Sequence, residues 1–578
     1  MEGIDMIKIM KRLSPLGAFA AIVFLMVQVG CMLFLPYVTA DIVNKGLMTG
    51  DISYIWSKGI LMMVLTVCGL LGALLNTLIF SNISYKLGGE LRSDIYRKTM
   101  SFSKHEFDKF GASTLMTRNT NDVAQVQNLV EMALKFLILS PAMLFGGIIM
   151  TYLLSPKLSF IFLGTIPFLA IAAFVIYRYA SPLYSKMQKL LDKLNLLFRE
   201  GLTGVKVIRA FNKEPKEYEK YKSTNQEYTR ISIKAATIMG IFSPIITMII
   251  SLSTILIVWI GSKSVEAGTM EIGTIMGAIS YSVQIMMGFG MLTSVILAVP
   301  RGQISAGRIQ EVLDMPMSIN DPLHKSKVRK ENTTLVFDQV DFHYQGAEKK
   351  ILEGISLSVH QGQTLAIIGN TGGGKSSFIN LISRLYDVEN GSIRINDIDI
   401  RDMEQKKLHE LISYSPQKSI LFFGTIRSNL LMGKPSATDA EIWEALEMAN
   451  ATEFVRTLPK GLDSEVEKSG GNFSGGQKQR LCIARALLKE ASIYLFDDSF
   501  SALDFKTDAF VRKAMKEKLT NAITVIVAQR ISTIMDAELI AVLDHGKLAG
   551  LGTHDELCET NPIYQEIIKS QFYKEVVA

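Results

Sequence analysis

Six long apolar stretches fill the first half of the chain, approximately Leu16–Val38, Ile60–Phe80, Phe136–Leu154, Leu158–Ile176, Ala235–Ile260 and Ile272–Val299, and none contains Asp, Glu, Lys or Arg. The shortest have 19 residues. At ~1.5 Å per residue a helix of that length covers a hydrocarbon layer of ~30 Å. Charged side chains are costly at that depth, so six uncharged runs in a row predict membrane helices rather than buried helices of a soluble domain. The segments between them differ. Residues 39–59, 155–157 and 261–271 are short and poor in Lys and Arg, whereas 81–135 and 177–234 are long and polar and carry Arg92, Arg97, Lys98, Arg118, Lys206, Arg209 and Lys213. The positive-inside bias places both termini and the two long loops in the cytoplasm. Those loops read as helical, so the membrane helices are expected to continue below the bilayer.

From about residue 315 the pattern breaks. Pro316, Asn320, Pro322 and the run Lys325–Lys330 read as a polar linker over 315–333. Beyond it the apolar runs shorten to strand length, as in Leu365–Ile368, Ile493–Phe496 and Thr524–Val527. They alternate with helical stretches such as Lys375–Leu385 and Gln477–Leu488, which predicts an α/β domain. The expected organisation is a membrane α-helical domain over 1–314 fused to an α/β phosphate-loop domain over 334–578.

Composition narrows the partners. A chain of 578 residues with 48% hydrophobic content and a net charge of +6 suits membrane segments and more than one domain. No dense basic block with interleaved aromatics suggests nucleic acid, and basic residues at membrane edges account for the charge. Cys31, Cys68, Cys482 and Cys558 stand far apart without metal-ligand spacing, so they read as free thiols. The first apolar run exceeds a signal-peptide core and lacks an evident cleavage site, which predicts an uncleaved first membrane helix.

The chemistry starts at Gly369-Asn370-Thr371-Gly372-Gly373-Gly374-Lys375-Ser376, which fits GxxxxGK[ST] between a predicted strand and a predicted helix. Glycines there let backbone N–H groups converge on phosphate oxygens, and the helix N-terminus adds a favourable dipole. Lys375 is expected at the β- and γ-phosphates and Ser376 at Mg²⁺. The buried strand in Ser492–Asp498 ends at Asp497, expected to hold the same magnesium.

Further motifs carry a family resemblance. Tyr344 in FHYQG, Gln417 in YSPQ, Ser474-Gly475-Gly476-Gln477 in NFSGGQKQR, Ser501–Asp504 (SALD) and Gly552–Leu557 (GTHDEL) follow the phosphate loop pattern in the order of an ATP-binding cassette (ABC) domain. The cassette resemblance spans roughly 335–570. It implies that Tyr344 stacks on adenine and that Gly369 through Ser377 bind ATP. It also implies that Gln417 contacts Mg²⁺ and the membrane domain, and that Ser474–Gln477 with Asp504 complete a nucleotide site shared with a second cassette. The first half resembles the six-helix domain of ABC exporters. Phe107–Asp122 and Gly204–Phe211 look like the regions around its two coupling helices, and Val265–Gly268 and Ser305–Leu313 fit the same pattern.

Two departures shape the finer reading. The family usually has Glu after the magnesium aspartate, and this chain has Asp498, one methylene shorter. A general base must lie within about 2.6–3.2 Å of its target, and a misplacement of about 1 Å costs on the order of a hundredfold in rate. The family's switch histidine is replaced by Gln529, in Val527-Ala528-Gln529-Arg530. Together they imply a site that holds ATP and hydrolyses it weakly. A third departure, Ser464–Gly470 before the signature, alters the usual TxVGExG.

The resemblance therefore implies one subunit of a heterodimeric exporter in the cytoplasmic membrane. It needs ATP and Mg²⁺, moves amphipathic or drug-like substrates, and lends its signature to a partner with an intact Glu and His. A homodimeric drug or lipid flippase and a non-transporting ATP-gated regulator remain the alternatives. An importer is disfavoured by the fusion, and a peptide-processing exporter by the start of the chain at the membrane domain. Met276, Met286, Met287 and Met291 read as helix packing, Gln28, Asn76 and Gln284 as cross-helix polar groups, and Trp259 as an interfacial anchor.

Overall fold

The computed structural model describes residue 6 and residues 8–577 apart from 323–331, 345, 348 and 371, with backbone alone at 296, 297 and 572–577. Lys325–Lys330 and Thr371 thus lie outside the described residues. The chain divides into two compact units, Met1–Met100 with Ser113–Met315, and Ser101–Ala112 with Pro316–Ala578.

The first unit is helical. Its helices are α1 (Pro15–Leu47) and α2 (Ile52–Met100), then, beyond the short α3 (Lys104–Phe110) of the second unit, α4 (Ala112–Leu154), α5 (Pro156–Thr203), the short α6 (Val205–Ala210), α7 (Glu214–Glu266) and α8 (Ile272–Leu313). Six of them are long and apolar enough to cross a membrane. The longest, α7, has 53 residues, or about 80 Å at ~1.5 Å per residue, far more than a bilayer needs. Ser14 caps α1 by accepting from Gly17 N, and Pro15 suits the first turn, where an N–H has no helical partner. Near its far end α1 passes into a π turn, Ile42–Leu47. There Asn44 Oδ1 accepts from Gly273 N at 2.6 Å, capping the start of α8. A Cβ on Gly273 would run into the Ala40 carbonyl, so glycine is required for this approach.

Uncharged polar side chains lie buried at several points of the bundle, among them Asn76, Ser84, Gln127, Ser140 and Thr151. Gln284 Nε2 donates to the Met32 carbonyl at 2.9 Å, and Gln28 reaches the Met32 sulfur. Asn76 is fully buried, and neither of its amide atoms has a hydrogen-bond partner among the described residues. Trp259 is exposed with Lys263 Nζ 4.7 Å from its ring centre. Met286 and Met291 pack against the helix cores, whereas Met276 and Met287 are exposed on this chain taken by itself.

Besides a two-stranded ladder of Gly424–Thr425 with Glu465–Val466, the second unit has two large sheets. One is antiparallel and contains β1 (Thr334–Phe342), β2 (Leu352–His360), β4 (Asn390–Ile395) and β5 (Ile398–Asp399) in the order β2-β1-β4-β5. The other contains β3 (Thr364–Gly369), β6 (Ile412–Ser415), β7 (Ile493–Asp497), β8 (Ile523–Val527), β9 (Leu539–Asp544) and β10 (Lys547–Gly552) in the order β10-β9-β3-β8-β7-β6. It is parallel except for the β10 edge. Every residue of β7 and β8 is buried, as expected for central parallel strands covered on both faces. Helices α9 (Lys375–Ile382), α10 (Gly475–Leu488) and α11 (Phe505–Lys518) follow the loops at the carboxyl ends of these strands or pack beside them. The chemistry-bearing loops collect at that end of the sheet, where open α/β sheets bind their ligands.

Candidate functional site

β3 delivers the chain into the loop Gly369–Gly374, and α9 begins at Lys375. Gly374 has φ 91°, a left-handed conformation, and a Cβ there would lie 2.8 Å from the Ile351 carbonyl oxygen. Only glycine meets both demands. A Cβ on Gly369 would likewise collide with the Leu543 carbonyl. Gly372 turns at φ 84° in open space, Gly373 N donates to Asn370 O at 3.0 Å, and Asn370 Nδ2 reaches Asp544 at 3.5 Å. Lys375 Nζ lies in the mouth of the loop, donating to the carbonyls of Gly369 (2.7 Å) and Asn370 (2.9 Å). Burial lowers its pKa, opposed by the nearby charges of Asp498 and Asp497. Tyr344 Oη and Ser377 Oγ lie 2.8 Å apart, which ties the aromatic after β1 to the first turn of α9.

Two carboxylates close the site from β7. Asp497 accepts from Ser376 Oγ at 3.2 Å. These two oxygens, both hard donors, are the pair the phosphate-loop pattern requires for magnesium. Asp498 follows with φ 48°, a left-handed conformation uncommon for a non-glycine residue. Its Oδ2 accepts from Gln529 Nε2 at 3.0 Å and, at the long end of the range, from Gln417 Nε2 at 3.5 Å. Burial raises both carboxyls above the usual aspartate value; hydrogen bonds from Ser376 and from Gln417 and Gln529 pull the other way. Asp498, Gln529 and Gln417 thus meet at one carboxylate oxygen.

The signature stretch sits elsewhere on the same chain. Ser474 is the N-cap of α10, its Oγ accepting from Gln477 N (3.3 Å), while Gln477 Oε1 accepts from Ser474 N (2.9 Å). This is a reciprocal capping box that fixes the loop geometry. Gly475 faces open space, and a Cβ on Gly476 would approach the Ala502 carbonyl. Among the described residues no hydrogen bond or ion pair joins Ser474–Gln477 to the phosphate loop. Asp504 caps α11, accepting from Thr507 N and Oγ1 at 3.0 and 2.8 Å, which lowers its pKa.

Three residues that sequence reading passed over bind these parts together. Buried Gln479, two positions after the signature, donates to the Asp498 carbonyl (3.3 Å) and accepts from Ala502 N (2.9 Å). Arg530, next to Gln529, donates to the carbonyls of Ser501 (3.2 Å) and Leu503 (3.3 Å) and lies over the Phe505 ring. Tyr386 packs edge-on against Tyr344, with ring centres 5.2 Å apart. No local sequence pattern marks these links, and Gln479 shows its role through burial on a motif-bearing helix.

Comparison with known proteins agrees with this geometry. Residues 18–289 match the family model described as "ABC transporter transmembrane region", and residues 352–501 the one described as "ABC transporter". An uncharacterized ABC transporter ATP-binding protein of Mycobacterium tuberculosis is 38% identical over 544 residues, covering 93% of each chain. The uncharacterized ABC transporter ATP-binding protein YfiB of Bacillus subtilis is 33% identical over 577 residues, covering 98% of this chain and 99% of its own. Among solved structures, a bacterial Atm1-family ABC exporter with ATP bound superposes with a TM-score of 0.81 at 25% identity, over 96% of this chain and 99% of the other.

Proposed function

This chain belongs to the ABC transporter family, an exporter-type membrane region fused to an ATP-hydrolysing cassette, and from that premise we propose that it is the weakly hydrolytic half of a heterodimeric exporter. The observation that carries the reading is the Asp498 carboxylate, whose Oδ2 is shared by the Gln529 and Gln417 amides.

The residues present fit ATP with Mg²⁺. The glycine loop follows a backbone path that a Cβ at Gly374 or Gly369 would block by meeting the Ile351 or Leu543 carbonyl, and Ser376 and Asp497 offer paired oxygens. Bound Mg²⁺ would neutralise charge on the β- and γ-phosphates. Lys375 is poised to leave its two carbonyl partners for phosphate oxygens. Tyr344 offers its ring to adenine, and Gln417 would join the metal shell. The general-base position is where the chain is weak. Asp498 is one methylene shorter than Glu, and its oxygen is already engaged by neutral amides. Gln529 brings a hydrogen-bond donor but no titratable imidazole. Losing a transition-state donor of that kind costs on the order of 10²–10³ in rate.

In this reading the capped loop Ser474–Gln477 and Asp504 complete the nucleotide site of a partner half-transporter that retains Glu and His. The pair sits in the cytoplasmic membrane with the cassettes inside. Amphipathic, drug-like molecules are the proposed cargo, and nucleic acid is not a partner. The test is ATPase activity of the chain purified alone and with its partner subunit. The expected result is at most about a hundredth of the pair's rate from the chain alone, little changed by Asp498→Asn. Vigorous hydrolysis by the chain alone, abolished by Asp498→Asn, would show a competent homodimer instead.

A further inference from the structure

We propose that Tyr386 is a positioning residue that reports to α3, through Asp108, whether a nucleotide base is stacked on Tyr344. The base-stacking aromatic does not stand alone. Phe342, Tyr344 and Tyr386 form a cluster with ring centres 5.0–5.5 Å apart, Tyr344 meeting each of the other two nearly at right angles. Tyr386 is the member of that cluster with a hydroxyl pointing away from the nucleotide loop. It donates to Asp108 Oδ2 at 3.0 Å, while Lys104 Nζ holds Asp108 Oδ1 at 2.6 Å.

The helix that receives this bond is built to register a small displacement. α3 has seven residues; besides the stacking of Phe110 on Phe102, ties to the cassette lie on Glu106 and on Asp108. At its start Glu106, 1% exposed, accepts from Ser103 N and Ser103 Oγ and also from Ser318 N at 2.9 Å. Ser103 Oγ and Ser318 Oγ lie 2.9 Å apart. At its other end the tie is Asp108 to Tyr386. The first tie fixes α3 to the strand of chain that leaves α8. The second fixes it to the loop after α9, where Arg384, itself at φ 49°, is anchored to Asp387, the Met403 carbonyl and the Asn320 carbonyl. Only the second tie touches the aromatic that meets the base. A planar base against Tyr344 restricts that ring, the ring edge bears on Tyr386, and the Tyr386 hydroxyl loads or relaxes its bond to Asp108. Phosphates gripped by Lys375 and the loop act on Tyr344 at its hydroxyl, 2.8 Å from Ser377 Oγ, and leave open the ring face that a base would cover. The inference needs a base at Tyr344 and is independent of how well Asp498 supports hydrolysis, so the two readings fail separately.

The experiment is hydrogen–deuterium exchange at the amides of α3 in the full-length chain reconstituted in lipid nanodiscs. It compares no ligand, a non-hydrolysable adenosine triphosphate analogue, and inorganic tripolyphosphate, which fills the phosphate loop without a base. Local opening is what such exchange reads. The expected result is exchange slowed about fivefold by the analogue, the low end of measured couplings between sites, and unchanged by tripolyphosphate. Tyr386→Phe and Asp108→Ala should remove the difference while the analogue still binds, as measured with a fluorescent nucleotide. Asp108→Asn keeps an acceptor oxygen and should retain it. Asp108 is half exposed, 52% at the side chain, so its variants carry the test if Tyr386→Phe fails to fold. Equal protection by tripolyphosphate, no protection by the analogue, full protection in Tyr386→Phe, or loss of nucleotide binding in that variant would each overturn the proposal.

Discussion

At the scale of single residues, hydrolysis turns on one carboxylate oxygen and its neighbours. If the short side chain at 498 and the amide at 529 together account for weak hydrolysis, Asp498→Glu alone should recover little, because Gln529 still occupies the oxygen. The pair Asp498→Glu with Gln529→His should raise ATPase by about tenfold or more, a fraction of what such groups contribute in full. Steady-state hydrolysis by the purified variants checks this. Asp497 supports a second prediction, about stability. Burial raises its folded-state pKa above the unfolded value, so between the two values the folded chain holds the extra proton and stability falls as pH rises. The ionised carboxylate is a liability above its folded pKa. Asp497→Asn should therefore raise Tm in the absence of nucleotide at pH 7.5, with the advantage narrowing as pH falls toward 4, while Mg²⁺-dependent nucleotide binding is lost. A uniform advantage across that range would remove the electrostatic cause. At this scale the phosphate loop, Asp497, Asp498 and Gln529 were legible because each stands in a local pattern. Gln479, Arg530 and Tyr386 were not. Each acts on residues 19 to 278 positions away in the chain, and no local pattern encodes which distant group it will meet.

At the scale of elements, the membrane helices and the central strands could be read directly, because uncharged runs and short apolar runs leave few alternatives. The π turn Ile42–Leu47 could not. Within it Asn44 reaches across to cap α8, a contact between segments 229 residues apart. The loop between β3 and α9 shows the opposite case, where a local requirement is absolute. Gly374→Ala places a Cβ in a left-handed conformation, costing about 1–2 kcal/mol, and drives it toward the Ile351 carbonyl. The variant should unfold at lower denaturant than the parent and bind nucleotide at least tenfold more weakly. A variant that bound normally would mean that the loop tolerates another backbone path.

At the scale of the whole molecule, the sequence pattern changes at the point where the two compact units part, at Met315. What the pattern did not reveal is that Ser101–Ala112, from the first long polar loop, belongs with the cassette. Those residues are polar and helical like their neighbours, and only the buried Glu106 and its bond to Ser318 set them apart. The proposed orientation makes a prediction of its own. Cys558 lies on the helix His554–Thr560 of the cassette. A membrane-impermeant maleimide should leave Cys558 unlabelled in intact cells and label it after permeabilisation. Labelling of intact cells would reverse the assigned topology.

The bond between Glu106 and Ser318 has a consequence for synthesis. The ribosome makes the glutamate 212 residues before its partner. At 5–20 residues per second that is a delay of roughly 10–40 s, during which four further membrane segments must be inserted. Throughout that interval α3 is a nascent helix whose acidic side chain awaits its burial. Most of the cassette is thus translated after the membrane helices, yet one piece of it emerges between the second and the third of them. A stalled or truncated chain would leave that piece displayed at the membrane surface, open to chaperone or protease.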